Sequence, residues 1–417
     1  MERRLFYVLL FLMVLLLIDY YAFQAVRLVI QDFSTVFRNI ITWSYWSVSA
    51  LVLAGACLFF FLDAEFLGRN TRSYFMTGVL INLLPKLLIV IFLLLDDAVR
   101  LGKWVYAQLA PSNGAIGEGD AITRSEFLAK TGLVVGAVPA VGMVYGIVSG
   151  AHDYRIRKVK VPLANLPSAF HGFKIAQISD VHSGSFYNKT AVKGGVELLM
   201  KQKPDAVFFT GDLVNNRASE MKDYQDIFSK ISAPLGVYSV LGNHDYGDYV
   251  SWASPEAQKQ NLENLKKTHG RMGWNLLMNE HRFLEVDGEK IALLGIENWG
   301  AKGRFPKYGK LAQAYKGTEE APVKLLLSHD PSHWDAQVRP EYSDIDIMFA
   351  GHTHGMQFGV EIPGLKWSPV QYMYEQWGGL YQKENQYLYV NRGYGYLGFP
   401  GRVGMLPEIT IMELVKA

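Results

Sequence analysis

The sequence predicts two unlike parts in one chain: an all-α, membrane-spanning region, then an α/β domain. Three observations predict this. Four long apolar runs crowd into the first 150 residues. Beyond them, short apolar stretches alternate with segments of helical character. Five of those apolar stretches end in Asp, Asn or His. The totals agree: of 417 residues, 50% are hydrophobic and 19% charged, which excludes disorder. A net charge of +2 gives no electrostatic case for a nucleic-acid partner. The single cysteine, Cys57, excludes an internal disulfide and a cysteine metal cluster. A metal site in this chain must therefore draw on His, Asp, Glu or Asn.

The first part is read as residues 1–150, with spans at about 5–30, 40–62, 74–95 and 127–148. About 20 apolar residues match the hydrocarbon thickness of a bilayer. The run 40–62 carries no charge, 74–95 carries only Lys86, and 127–148 only Lys130. A mid-span lysine costs roughly 2.5–3.5 kcal/mol on insertion scales. Lys86 either serves a function or snorkels and faces a neighbouring helix; both readings stand at this point. With the amino terminus inside, basic residues number eight inside (Arg3, Arg4, Arg69, Arg72, Arg155, Arg157, Lys158, Lys160) and five outside (Arg27, Arg38, Arg100, Lys103, Arg124). Residues 123–133, TRSEFLAKTGL, look instead like a degenerate export signal lacking its second arginine, which leaves the side of the membrane open.

Residues 151–170 mix basic and apolar residues around Pro162 and Pro167, as a linker with an edge strand would. The remaining 171–417 can bury a sizeable core. Strands are expected at 173–179 (FKIAQIS), 206–210 (AVFFT), 236–241 (GVYSVL), 323–328 (VKLLLS) and 345–350 (IDIMFA). Helical segments at 190–201 and 221–231 separate the first three strands from one another, and a third at 256–267 lies between the third strand and the fourth. In open α/β sheets ligands gather beyond the carboxyl ends of strands. The five strands lead into Asp180-Val181-His182, Gly211-Asp212, Gly242-Asn243-His244-Asp245, His329-Asp330 and Gly351-His352-Thr353-His354. Any one of these is an ordinary polar turn; five in one order are a pattern.

Carboxylate, amide oxygen and neutral imidazole are the donors that divalent metals take. A pair of metals can clamp a phosphoryl group and activate water. Two dications outweigh two aspartates and a hydroxide, so such a site stays positive and draws an anion without a lysine cluster. His352 and His354, two apart, could point the same way in an extended turn, with Gly351 and Gly355 permitting close approach.

In order and spacing this set resembles the calcineurin-like metallophosphoesterase family, over about residues 171–417. The resemblance implies a four-layer αββα sandwich, with a second sheet drawing on 282–286, 290–296, 387–390 and 408–414. It implies one metal on Asp180, His182, Asp212 and His354, and another on bridging Asp212, Asn243, His329 and His352. His244 would assist the leaving oxygen, oriented by Asp245, while a metal hydroxide attacks phosphorus. Mn, Fe and Zn all suit these ligands. Some family members have an Asp-Arg pair after Gly-Asp; here Leu213-Val214-Asn215-Asn216 intervenes before Arg217.

The closer likeness is to membrane-anchored bacterial members, some of which cleave lipid-linked or nucleotide-sugar pyrophosphates. It implies an integral protein of a bacterial cytoplasmic membrane, with a phosphomonoester, phosphodiester or pyrophosphate as substrate. The glycine-rich loop 391–404 offers Arg392 and Arg402 as phosphate contacts, or is an ordinary turn. The aromatic stretch 367–381 either caps the site, rests on the membrane interface or packs as a loop. The alternative function is a non-catalytic membrane sensor or scaffold.

Overall fold

The computed structural model describes residues 2–61, 69–109, 124–303 and 305–417. The chain divides into two compact units, Met1–Tyr145 and Gly146–Ala417.

The first unit is built from α1 (Glu2–Ile30), α2 (Thr35–Phe61), α3 (Arg69–Leu109) and α4 (Arg124–Val148), the last ending in the second unit. Four stretches are long and apolar enough to cross a bilayer: Leu5–Ile30, Thr35–Phe59, Thr71–Tyr106 and Ser125–His152. Leu62, the end of the second expected span, and Thr123 of the export-like stretch lie outside the described residues. The helices turn apolar side chains outward, as Leu51 and Val138 do, and keep small residues inside: Ala22, Ala25 and Ala129 are fully buried around Ile89. That inversion of the soluble pattern is what a lipid solvent permits. Gly136 belongs to it, because a Cβ there would stand 2.8 Å from the Pro85 carbonyl oxygen of α3. α3 continues past the expected end at residue 95. Its next turn is polar but self-paired, with Arg100 reaching Asp96 (3.3 Å) and Asp97 (3.4 Å).

Lys86 does not snorkel. Its Nζ lies 2.6 Å from Asp19 Oδ1 of α1 and 2.9 Å from Ser49 Oγ of α2, above the Tyr45 ring. Asp19, which reads in the sequence only as a break in the first run, is its counter-ion.

The second unit contains two six-stranded sheets. The first has the order β1 (Arg155–Leu163), β14 (Glu408–Lys416), β2 (Lys174–Ile178), β3 (Ala206–Phe209), β4 (Val237–Ser239), β5 (Trp274–Leu276). The second runs β12 (Gly379–Lys383), β13 (Gln386–Val390), β9 (Ile347–Ala350), β8 (Lys324–Leu327), β7 (Glu289–Gly295), β6 (Glu280–Val286). β2 through β5 are mutually parallel, as are β13, β9, β8 and β7. Parallel strands buried on both faces read as continuous apolar runs, and the side-chain alternation then divides them between two cores. Phe208, Leu325, Leu327 and Phe349 fill the core between the sheets. Val207 and Phe209 face the opposite way, against Val192, Val196 and Leu199 of α5 (Lys189–Met200) and Leu265 of α6 (Pro255–Arg271). Leu326 and Met348 face Leu311 and Ala314 of α7 (Leu311–Tyr315) and Trp334. The result is helix, sheet, sheet, helix.

One assignment changes sheets. β14, expected in the second sheet, lies in the first, antiparallel to β2 and parallel to β1. Its alternation allows this: Met412 and Leu414 enter the inter-sheet core while Ile409 and Ile411 face the helices. Strand membership is a matter of pairing, which the composition of a strand does not encode. The expected helix 221–231 is a 3₁₀ stretch, Ala218–Asp223, followed by one short turn, Gln225–Phe228. A further pairing, β10 (Val360–Ile362) with β11 (Leu365–Trp367), forms a separate hairpin.

Candidate metal centre

The carboxyl ends of β2, β3, β4, β8 and β9 deliver their polar residues to one rim. Backbone conformation, beyond proximity, aims them. Asp180, His182, Asp212, His352 and His354 all have left-handed backbone, with φ of 52°, 48°, 60°, 71° and 53°. For residues other than glycine such geometry costs about 1–3 kcal/mol each and clusters at functional sites. It also corrects the expectation for His352 and His354, which sit in a left-handed turn and not in extended backbone. Gly351 has the role of letting chains touch: a Cβ there would fall 2.2 Å from Asp180 Oδ2.

The carboxylates are fixed by amides. The His352 N–H donates to both oxygens of Asp180 at 3.0 Å, and the His244 N–H donates to Asp212 Oδ1 at 2.9 Å. That leaves Asp212 Oδ2 between two imidazoles, 3.2 Å from His329 Nε2 and 3.5 Å from His182 Nε2. His354 Nε2 is 3.3 Å from Asp180 Oδ1 and 3.0 Å from His182 Nε2. Two groups therefore present donor atoms within 4.8 Å of one another: Asp180, His182 and His354, and Asp180, Asp212 and His329. Asn243 and His352 stand beside them, with Asn243 Oδ1 2.9 Å from His352 Nδ1. The His329 and His352 rings lie 5.2 Å apart.

The residues fit metal on their own terms. His329 Nδ1 donates to the Thr210 carbonyl at 2.7 Å, which presents Nε2 as the ligand atom. That Nε2 is buried without a hydrogen-bond partner, facing Asp212. Burial depresses His182 to about 3 and, with the neighbouring His182, holds His354 well below the usual histidine range. Both are then neutral, the form that binds cations. Burial opposes a charge on His329 too, but Asp212 and Asp180 prevail and push it up to about 10. Burial also lifts Asp180 to about 6. A proton is thus held where opposite charges converge.

His244 is half-buried; its Nδ1 donates to the Asn215 carbonyl at 2.9 Å, and its ring stands edge-on to His182 at 5.0 Å. Asp245 does not orient that ring. Its Oδ2 accepts from Asp212 N and Gly242 N, both at 2.9 Å, and its Oδ1 from Leu213 N (2.9 Å) and Val214 N (3.2 Å). It ties the β3 loop to the β4 loop. The motif could not reveal this, because the partners are backbone amides.

The two arginines do not reach outward. Arg402 is fully buried, donating to the carbonyls of Gly395, Arg392 and Met405 and, at 3.2 Å, to His354 Nδ1. Arg392 is 2% exposed and pairs with Glu408 (2.6 Å) and Glu361 (2.8 Å). With carboxylates and carbonyls already filling their forks, neither is free to clasp a phosphate in this structure. The loop does border the site: the Tyr394 and Gly395 N–H groups donate to the Ser179 and Asp180 carbonyls. Arg217 is stacked on Trp252. A residue the motifs missed is Tyr374, from the aromatic stretch. Its Oη lies 2.9 Å from His352 Nε2 and 3.4 Å from Asp330 Oδ2, so Nδ1 of that histidine faces the site.

A two-sheet sandwich with carboxylates and imidazoles converging at its strand ends defines the class of metal-dependent phosphoester hydrolases. Comparison with known sequences agrees. Residues 173–356 match the family model "Calcineurin-like phosphoesterase", and residues 3–151 match "Probable Calcineurin-like phosphoesterase, transmembrane domain". The "Transmembrane protein with metallophosphoesterase domain" of Danio rerio is 30% identical over 372 residues, covering 87% of this chain and 77% of its own. Metallophosphoesterase YkuE of Bacillus subtilis (strain 168) is 29% identical, covering 70% of this chain and 98% of its own. Phosphodiesterase YaeI of Escherichia coli (strain K12) is 24% identical, covering 70% and 100%. The chain belongs to the calcineurin-like phosphoesterase family: it is a metal-dependent phosphoesterase with a transmembrane region.

Proposed function

We propose that this protein hydrolyses a phosphoester at a two-metal site held by Asp180, His182, Asp212, Asn243, His329, His352 and His354, with His244 acting on the substrate. The observation that carries this is Asp212 Oδ2, which faces His329 on one side and His182 on the other, a placement that supports a bridging role. Two divalent ions there, of the Mn, Fe or Zn kind, would polarise the phosphoester and activate water. The chain's own residues do the rest. The Thr210 carbonyl and Tyr374 fix which nitrogens of His329 and His352 face inward. The Asn215 carbonyl accepts from His244 Nδ1, so a proton carried on Nε2 is the one that would pass to the leaving oxygen. Asp245 keeps the loops carrying Asp212 and Asn243 in register.

The likeness to a relative named a phosphodiesterase supports diesters among the substrates. The bacterial relatives support a bacterial cytoplasmic membrane as the setting. The test is purification of the full chain in detergent, metal analysis, and a panel of mono-, di- and pyrophosphate esters. His244→Ala should keep its metal and lose about 10²–10⁴-fold in kcat. Asp212→Asn should lose metal as well. Wild-type protein reloaded with metal and inert to the whole panel would overturn the reading in favour of a non-catalytic sensor.

A further inference from the structure

The hairpin β10–β11 is built inside out. Its register pairs Val360 with Trp367, Glu361 with Lys366, and Ile362 with Leu365. Alternation therefore puts Val360, Ile362, Leu365 and Trp367 on one face and the two charged residues on the other. The two charged residues reach back to the protein with their head groups, although Lys366 stays exposed along its length. Glu361 is held by Arg157 at 2.5 Å and Arg392 at 2.8 Å, and Lys366 donates to the Gly378 carbonyl and lies over the Trp377 ring. The apolar face looks outward, with Ile362 58%, Leu365 51% and Val360 40% exposed. Beside it, Tyr372 and Met373 are exposed too. A hairpin in water takes the opposite register, because a one-residue slip would exchange the faces. The two arginines on Glu361 prevent that slip.

An outward apolar face held by part-buried ion pairs calls for an apolar medium, and this chain is attached to one through its four apolar helices. A tryptophan with neighbouring tyrosine and aliphatic side chains is the composition of a membrane-interface anchor. The hairpin follows His352 and His354 after only a few residues and lies beyond the segment matched by the family model, which ends at 356. We propose that β10–β11 dips into the bilayer surface and brings the metal centre to phosphoesters carried on membrane lipids. The substrate class rests on the proposed phosphoesterase activity; the membrane contact does not.

Two experiments on the full chain in nanodiscs of phosphatidylethanolamine and phosphatidylglycerol separate these. In a Cys57→Ser background, a bimane label at Pro363→Cys should be quenched by brominated acyl chains at least about twofold more than one at Lys259→Cys on α6. Equal quenching, or cross-linking of the 363 label to a second copy instead, overturns the proposal. The variant Ile362→Ser/Leu365→Ser should lower turnover of dioleoyl phosphatidic acid by about tenfold while leaving its soluble dihexanoyl counterpart unchanged. Equal effects on both substrates overturn the lipid assignment. Wild-type protein inactive on both and on the whole panel of soluble esters, with quenching intact, would fault the phosphoesterase reading and leave the membrane contact standing.

Discussion

Asp245 shows how a residue can be indispensable to a site without touching what reacts there. Its two oxygens accept four backbone N–H groups, from Asp212, Gly242, Leu213 and Val214. Hydrogen bonds to a buried charge contribute about 1.5–3 kcal/mol each, and an unmatched donor costs more than a missing bond. Asp245→Asn turns one acceptor into an amide donor facing N–H groups. The expected outcome is a loss of at least about 2 kcal/mol in stability together with weaker metal retention, read by thermal melting and metal analysis. A variant with wild-type melting and metal content, but reduced kcat, would return Asp245 to the role of orienting His244. At this scale the sequence spoke through residue type. Asp, Asn and His at strand ends were legible because they are among the few types that serve as ligands. The left-handed backbone of Asp180 and His354, and the carbonyls of Thr210 and Asn215 that set imidazole tautomers, left no mark, since every residue has a backbone.

At the scale of elements, β2, β3, β4, β8 and β9 lie where their apolar runs predict, because a parallel strand buried on both faces leaves little else for such a run to be. The place of β14 was not legible, since its neighbours β1 and β2 lie far away in sequence. The same limit explains Lys86. A lysine in a span signals a partner, but the partner, Asp19, sits on another helix. The pair ties α1 to α3, and Ser49 adds α2. Removing one partner from a buried pair is strongly destabilising, by about 3–5 kcal/mol, whereas replacing both with apolar groups is often close to neutral. Lys86→Met should therefore unfold at lower denaturant concentration than wild type, and Asp19→Leu/Lys86→Met should recover most of the loss. Losses in the double variant equal to the sum of the singles would mean that the two residues are not coupled.

For the whole molecule, all seven proposed ligands lie between residues 180 and 354, within the second unit. Without ions the rim of that unit carries five residues in costly backbone and the buried carboxylates of Asp180 and Asp212 close together, with a proton held on His329 between them. Ions bound to the folded state and not to the unfolded chain would stabilise it by RT ln(1 + [L]/Kd), about 4 kcal/mol at a thousand times Kd. For a domain of this size each kcal/mol moves Tm by about 2–4 °C, so chelation should lower Tm by roughly 10 °C. Adding metal back should restore it, with Tm rising as the logarithm of free ion concentration. Asp212→Asn should melt alike with and without chelator, because the carboxylate proposed to bridge the ions is replaced by a neutral amide. The helices of the first unit supply none of these ligands, so amide exchange within α1 to α3 should not respond to chelation. A wild-type Tm indifferent to chelator and to added ions would remove the metal from the account of how this sandwich stays folded, and with it the reason for its strained rim.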